Sequence, residues 1–203
     1  YTTDFVGTFE LNHQLDEDLA KYIETFSGTR RMIRDNETLE NEFQGQFGFE
    51  GSYGQNGEYF AFNDGNFGQS ENLGVLDYNQ PPPSQPGLWC QWIPTEDRLG
   101  IEWDGSEKFY NYEEWLIYII DNFLAPKGYI LNGEVIWQGE DSLDRGKLIV
   151  KNNEVQAVEE GKTWREANSS NFRDELRIIL NKEWSQNEIF EAIDELHEKY
   201  SNH

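Results

Sequence analysis

The sequence has one cysteine, no long apolar run and few basic residues, and each of these scarcities excludes a class of protein. A single cysteine, Cys90, cannot form an internal disulfide, so we interpret it as a small core residue. No apolar run approaches the ~18 residues of a membrane span, and the N-terminal residues lack the basic and apolar segments of a signal peptide. We therefore expect a cytoplasmic protein that makes no membrane contact.

Basic residues are outnumbered, with 16 Lys and Arg against 39 Asp and Glu, which gives a net charge of −23. A surface this negative repels phosphate backbones and anionic lipids, so we expect no direct binding to nucleic acid. It is compatible with a basic protein partner, with a metal ion, or with no partner, the charge then serving only solubility.

Catalytic patterns are also missing. The three histidines, His13, His197 and His203, are far apart in the chain, no Gly-x-Ser-x-Gly turn places a serine, and no glycine-rich loop with a lysine is present. The sequence favours a protein without enzymatic activity, and we predict no catalytic residue and no cofactor.

Aromatic residues make up 15% of the chain, and its apolar residues recur with clear periodicities. The stretch "FVGTFEL" alternates like a half-buried strand, and two tryptophan-rich runs between residues 88 and 105 resemble a hairpin. A helix is predicted over 112–124, with Asn111 and Glu114 as its capping box. Two strands are predicted within residues 147–158, joined by a two-residue hairpin turn at Asn152-Asn153. Residues 36–74, rich in Gly, Asn and Gln, predict short edge strands or long loops. The expected fold is α+β, with a mainly antiparallel sheet packed by two helices and followed by a C-terminal helical pair.

The chain divides by pattern into an α+β domain, residues 1–158, and an acidic helical extension, residues 163–203. In the extension, "SQNE" at 185–188 has the form of a capping box, and an apolar stripe follows it at helical spacing: Ile189, Phe190, Ile193, Leu196 and Tyr200. A homodimer through these helices is compatible with the pattern.

Three runs of this sequence, "QPGLWCQWIPTED", "IEWDGSEKFYNYEEWL" and "APKGYILNGEVIWQGED" with the later "GKLIVKNN", resemble a family of uncharacterised proteins encoded in phages and bacterial genomes. The resemblance covers roughly residues 1–155 and leaves out the C-terminal extension. It implies an intracellular protein associated with mobile genetic elements, and it implies no activity, fold or site residue.

Aromatic and arginine side chains suggest a small-molecule site. Aromatic faces beside carboxylates suit flat or cationic ligands, and arginines can hold a phosphate, so a nucleotide-sequestering protein is one hypothesis. Strand geometry requires that Trp89 and Trp92, three residues apart, face opposite sides unless a bulge intervenes. The simpler interpretation is that the tryptophans fill the core and the arginines pair with surplus acids. The candidate residues are Trp89, Trp92, Trp103, Tyr110, Trp137, Arg30, Arg31 and Arg34.

Carboxylates in two segments raise a third hypothesis, a metal-dependent enzyme, because hard cations such as Mg²⁺ and Ca²⁺ need several converging oxygens. Neither segment follows the spacing of an EF-hand loop, and acids in turns are usually solvated caps. The candidate ligands are Glu102, Asp104, Glu140, Asp141 and Asp144.

The leading hypothesis is a non-enzymatic interaction protein of phage type that inhibits a nucleic-acid-handling or defence protein by presenting carboxylates in place of phosphates. Acids repeat along one face of the last predicted helix, at a rise of ~1.5 Å per residue, with a spacing near that of a nucleic-acid strand. This acidic row consists of Glu188, Glu191, Asp194, Glu195 and Glu198.

Overall fold

The computed structural model describes residues 1–70, 74–141 and 144–159. In this part of the chain the fold is α+β, with a mainly antiparallel seven-stranded sheet, a separate two-stranded sheet and three α-helices. The predicted fold class is therefore confirmed at this level. The predicted extension, residues 163–203, lies outside the described residues. No helix in the described ranges is both long and apolar enough to cross a membrane.

The elements follow one another along the chain with long irregular stretches between them. The three helices are α1 (Glu17–Ser27), α2 (Asn36–Phe43) and α3 (Tyr112–Ile119), and α3 runs on as a π-helical turn over Ile120–Leu124. The strands are β1 (Thr3–Val6), β2 (Phe9–Leu11), β3 (Ile33–Arg34), β4 (Val75–Asp77), β5 (Trp92–Pro94), β6 (Gly100–Trp103), β7 (Leu131–Gly139), β8 (Arg145–Lys151) and β9 (Glu154–Glu159).

The large sheet is organised around β7. Its strand order is β5-β6-β2-β7-β8-β9, and β1 also pairs with β7, beyond the end of β2. The chain bends between β1 and β2 at Gly7, whose φ is +121° and where an added Cβ would lie 3.0 Å from the carbonyl oxygen of Glu134. A glycine is needed at this close approach, which lets both halves of the N-terminal segment pair with the same strand.

The core is aromatic, as the composition predicts. Phe5 of β1 lies near its centre, with ring centroids 5.5 Å from Trp92 and 5.0 Å from Tyr112. Buried residues of α1, α3 and the sheet strands belong to the same cluster. Because the face of β7, β8 and β9 that carries Val135, Leu148 and Ala157 points into this cluster, the opposite face of these strands is the more exposed one.

Two local expectations are wrong. Residues 36–43 form α2 instead of a loop or edge strand, because Asp35 caps the helix by accepting hydrogen bonds from the backbone N–H groups of Glu37 and Thr38. Asn111 precedes α3 but makes no side-chain capping bond, since it has a φ of 55° and its amide donates to the carbonyl of Pro86, 2.5 Å away. The Asn152-Asn153 pair does form the predicted hairpin turn between β8 and β9, with φ values of 49° and 70°.

Candidate functional site

Arg31 and Arg34 are the two most deeply buried charges of the described residues, and within them Arg31 has the more extensive set of partners. The side chain of Arg31 is 1% exposed, and its guanidinium lies 4.1 Å from the centre of the Phe26 ring. Nη2 donates to the carbonyl oxygens of Glu58 (3.0 Å) and Phe60 (2.7 Å), Nη1 donates to that of Phe26 (3.4 Å), and Nε donates to Oε1 of Gln85 (3.3 Å). Burial lowers the pKa of Arg31. Within the described residues no carboxylate lies at ion-pair distance from it, so backbone carbonyls take the place of a counter-ion.

Arg34, three residues further along the chain in β3, is also buried. Its guanidinium lies over the Phe60 ring, 4.4 Å from the centroid, and Nη2 donates to the carbonyl of Gly68 at 2.6 Å. Burial, together with repulsion from Arg31, lowers the pKa of Arg34 to about 9, so that it is still charged at neutral pH.

These positions contradict the interpretation of the three arginines as a phosphate site and, for Arg31, also the interpretation as an ion-pair partner of a surplus acid. The guanidiniums of Arg31 and Arg34 are enclosed by protein and are not available to a phosphate at the surface, and Arg31 has no ion pair with an acid of the described residues. Arg30 is the more exposed of the three, and it stacks on Tyr78 at 4.3 Å while donating to that residue's carbonyl. The three arginines therefore do not converge on one pocket.

A polar network extends from Arg31 to the carboxylate of Glu58. Gln85 donates to the carbonyl of Glu58 at 2.6 Å and to the hydroxyl of Tyr118 at 3.1 Å, and Glu58 Oε2 accepts hydrogen bonds from Ser84 and Tyr118. Burial raises the pKa of Tyr118 well above its usual range, which keeps the phenol protonated as a donor. The network lies behind a cleft of about 390 Å³ between residues 83–86 and α3. Each polar side chain named here already has a partner, so the network serves to hold the proline-rich segment against the helix.

The predicted aromatic pocket is not formed. Trp92 and Trp137 are core residues, and the indole N–H of Trp92 donates to the carbonyl of Tyr112 at 2.8 Å. Trp103 is partly buried and bonded to Gln91, while Tyr110 is 59% exposed. The correction has a physical cause: Trp92 and Phe109 pack edge to face on Phe5 and Trp103 lies tilted against the same ring, which fills the space that a ligand would need.

Trp89 and Trp92 differ in burial, since Trp92 is fully buried and Trp89 is partly exposed against Phe67, with ring centroids 5.5 Å apart. The regular alternation predicted from residue 88 onwards is wrong, however. The strand begins only at Trp92, and Cys90 and Gln91 are both buried.

Cys90 is a core residue, as predicted, and burial raises the pKa of its thiol to about 12. We expect a thiol reagent at pH 8 to modify the native protein at least ~100-fold more slowly than the urea-unfolded protein, in which the thiol ionises near pH ~8.5. Absorbance after addition of an aromatic disulfide reagent measures both rates. Complete labelling of the native protein within minutes would contradict the burial of Cys90.

The acids proposed as metal ligands are held by other contacts. Glu140 accepts a hydrogen bond from the backbone N–H of Thr2 at 2.7 Å, Asp144 accepts one from the hydroxyl of Tyr1, and Asp104 accepts one from the backbone N–H of Ser106. Across residues 1–70, 74–141 and 144–159, no group of three or more His, Cys, Asp or Glu is arranged to hold a metal ion. The structure therefore does not bring Glu102, Asp104, Glu140, Asp141 and Asp144 together as a set.

The structure does bring acids together beside α1. The solvent side of this helix and the β5–β6 hairpin form the two walls of an acidic groove of about 600 Å³. Its floor is apolar, formed by Ala20, Ile93 and Pro94. Its charged side chains are Glu17, Glu24, Glu96 and Glu102, against two bases, Lys21 and Arg98.

No protein-family model, curated protein or solved structure matches the chain. The acidic groove therefore has to be interpreted from its own chemistry. Asp97, at the tip of the hairpin, accepts hydrogen bonds from the hydroxyl of Thr95 and the backbone N–H of Leu99, which lower the pKa of its carboxyl. The Asp97 carboxyl therefore stays ionised in mildly acidic solution.

Sequence reasoning missed the acidic groove and favoured the acidic row of the last predicted helix, which lies outside the described residues. One signal for the groove was present: Glu17, Lys21 and Glu24 recur at spacings of four and three residues opposite the apolar stripe of α1. Nothing in the sequence places Glu96 and Glu102 beside them, because that contact depends on how the hairpin packs against the helix.

Proposed function

We propose that this protein is a non-enzymatic binder of a basic, nucleic-acid-handling partner in the cytoplasm, of the host cell if it is phage-encoded, and that it inhibits that partner by mimicking nucleic-acid charge. The observation that carries the proposal is the distribution of charge. The described residues hold 28 of the 39 acids but only ten of the 16 bases, and two of those bases, Arg31 and Arg34, are buried. The α+β body is therefore strongly acidic by itself, before the C-terminal residues are counted.

The acidic groove gives this charge a shape that a partner can recognise. Carboxylates stand on both walls above an apolar floor, an arrangement that suits the aliphatic stem and charged head of a lysine or arginine side chain. Such electrostatic complementarity raises the association rate of charged partners and makes their binding sensitive to salt. In this proposal the acidic row of the predicted C-terminal helical pair adds a second contact surface of the same sign.

The proposal predicts that reversing three acids of the groove weakens binding at least tenfold. The variant replaces Glu17, Glu24 and Glu96 with lysine, since each reversal turns a favourable contact with a basic partner into a repulsive one. Tagged wild-type protein would first capture partners from a host lysate, with washes of rising salt, displacement by added DNA and identification by mass spectrometry. The affinity of each variant for the captured partner is then measured by interferometry.

The matched control replaces Glu37, Glu40 and Glu42 of α2 with lysine, which changes the net charge by the same amount on another surface. A third variant reverses Glu191, Glu195 and Glu198 and tests the acidic row. Equal affinities for all three variants would show that total charge, and not the groove or the row, determines retention. Capture of no nucleic-acid-handling protein above background would contradict the proposed function itself.

A further inference from the structure

The large sheet has an outer face that differs from the rest of the surface in its exposed apolar side chains and its net charge. On the side facing away from the core, Val6, Ile136, Lys147 and Val158 form one row across β1, β7, β8 and β9. Ile149 lies in the neighbouring row, between Glu134 and Gln156. Val6 is 71% exposed and Ile136 is 48% exposed, so the described residues leave apolar side chains of this outer face open to solvent.

The charges of the outer face balance, in contrast to the acidic surplus elsewhere. The four strands present the bases Arg145, Lys147 and Lys151, and Lys147 pairs with Glu134 at 3.4 Å. The acids on the same face are Asp4, Glu134 and Glu154. The net negative charge of the rest of the surface would repel an acidic polypeptide segment. The outer face has no net charge and would not repel it.

The sequence supplies such a segment immediately after the last strand. β9 ends at Glu159, and its Val158 already belongs to the outer face. Residues 185–200 follow after a connection of 25 residues, with the apolar stripe described above on one side and the acidic row on the other. The apolar stripe from Ile189 to Tyr200 would be ~16 Å long in a helix, and four strands span ~15 Å, so the stripe matches the width of the face.

We propose that residues 185–200 of this chain form a helix that docks its apolar stripe on the outer face of the sheet. The stripe of Ile189, Ile193 and Leu196 covers Val6, Ile136 and Ile149, which leaves the acidic row pointing away from the sheet. The tether favours the chain's own segment over that of a second copy, because a connection of this length gives an effective concentration in the millimolar range. The inference does not rest on the proposed function, since it concerns only how the chain packs against itself.

Hydrogen exchange on the full chain tests the docking. In the wild-type protein the amides of residues 186–200 should be protected, and Ile136→Glu should lower their protection at least tenfold by placing a charge under the helix. Val6→Glu, at a more exposed position, should act in the same direction. The control is Leu76→Glu in β4, an apolar strand residue that is 68% exposed in the other sheet and should leave the segment unchanged.

Slow exchange of the β7 and β8 amides in each variant verifies that the sheet is intact. Fast exchange of residues 186–200 in the wild-type protein would overturn the proposal. So would protection that ignores both Ile136→Glu and Val6→Glu, since the helix would then pack elsewhere. Protection that rises with protein concentration would assign the face to a second copy of the chain and would overturn it as well.

Discussion

Replacing Arg31 with methionine should lower the free energy of unfolding by ~2–4 kcal/mol. Methionine keeps most of the buried volume, but it leaves the carbonyl oxygen of Phe60 and the side-chain oxygen of Gln85 without a donor and removes one of two donors from the carbonyl oxygens of Phe26 and Glu58. Each buried acceptor without a partner costs ~1–3 kcal/mol, which outweighs the ~1–2 kcal/mol gained by no longer burying a charge. The measurement is urea denaturation followed by tryptophan fluorescence.

The neighbouring arginine provides the matched control. Arg30→Met removes a guanidinium that stacks on the half-exposed Tyr78, so it should cost less than ~1 kcal/mol. Arg31→Lys should fall between the two, because an ammonium group cannot reach all the acceptors that the guanidinium fork reaches. Equal denaturation midpoints for Arg31→Met and Arg30→Met would show that the buried hydrogen bonds of Arg31 do not stabilise the fold.

The second large effect is expected at Trp92, where substitution by alanine should cost ~3–5 kcal/mol. The indole is fully buried and packs edge to face with Phe5, Phe9 and Phe109 at centroid distances of 5.3–5.6 Å. The substitution opens a large cavity and also removes the hydrogen bond to the carbonyl of Tyr112. The same urea titration, followed by circular dichroism because a tryptophan is lost, reports the change.

Trp89→Ala is the natural comparison, since both residues belong to the same tryptophan-rich run. Trp89 is partly exposed and meets the exposed Phe67, so its loss should cost less than ~1 kcal/mol. A cost at Trp89 as large as that at Trp92 would contradict the division of this run into a core residue and a rim residue.

Periodicity predicted the elements that bury one face. The strand from Phe5 to Leu11, the helix at residues 112–124, the tryptophan hairpin and the turn at Asn152 all follow from side chains that alternate or repeat every three to four residues. These elements carry most of the core, which is why the α+β class could be predicted from sequence alone.

The irregular region could not be predicted in the same way. α2 is short and polar and has one buried residue, Leu39, so its periodicity is weak, although the capping Asp35 was a visible signal. The arginines were misinterpreted for a different reason. A basic residue in an acidic chain suggests a surface ion pair, and no local pattern reveals that backbone carbonyls distant in sequence will surround Arg31.

The burial of Arg31 has a consequence for the Gly-, Asn- and Gln-rich stretch between α2 and β5. Composition of this kind is typical of chains that stay disordered, because it supplies too little apolar surface to offset the entropy of ordering. Here the carbonyl oxygens of Glu58 and Phe60 and the side-chain oxygen of Gln85 all accept hydrogen bonds from Arg31, which follows α1 by four residues. Arg31 thus couples the order of this stretch to the helix and sheet, together with the hydrogen bonds from Arg34 to Gly68 and from Tyr22 to Tyr59, so the stretch should open cooperatively with the domain and not as an independent loop.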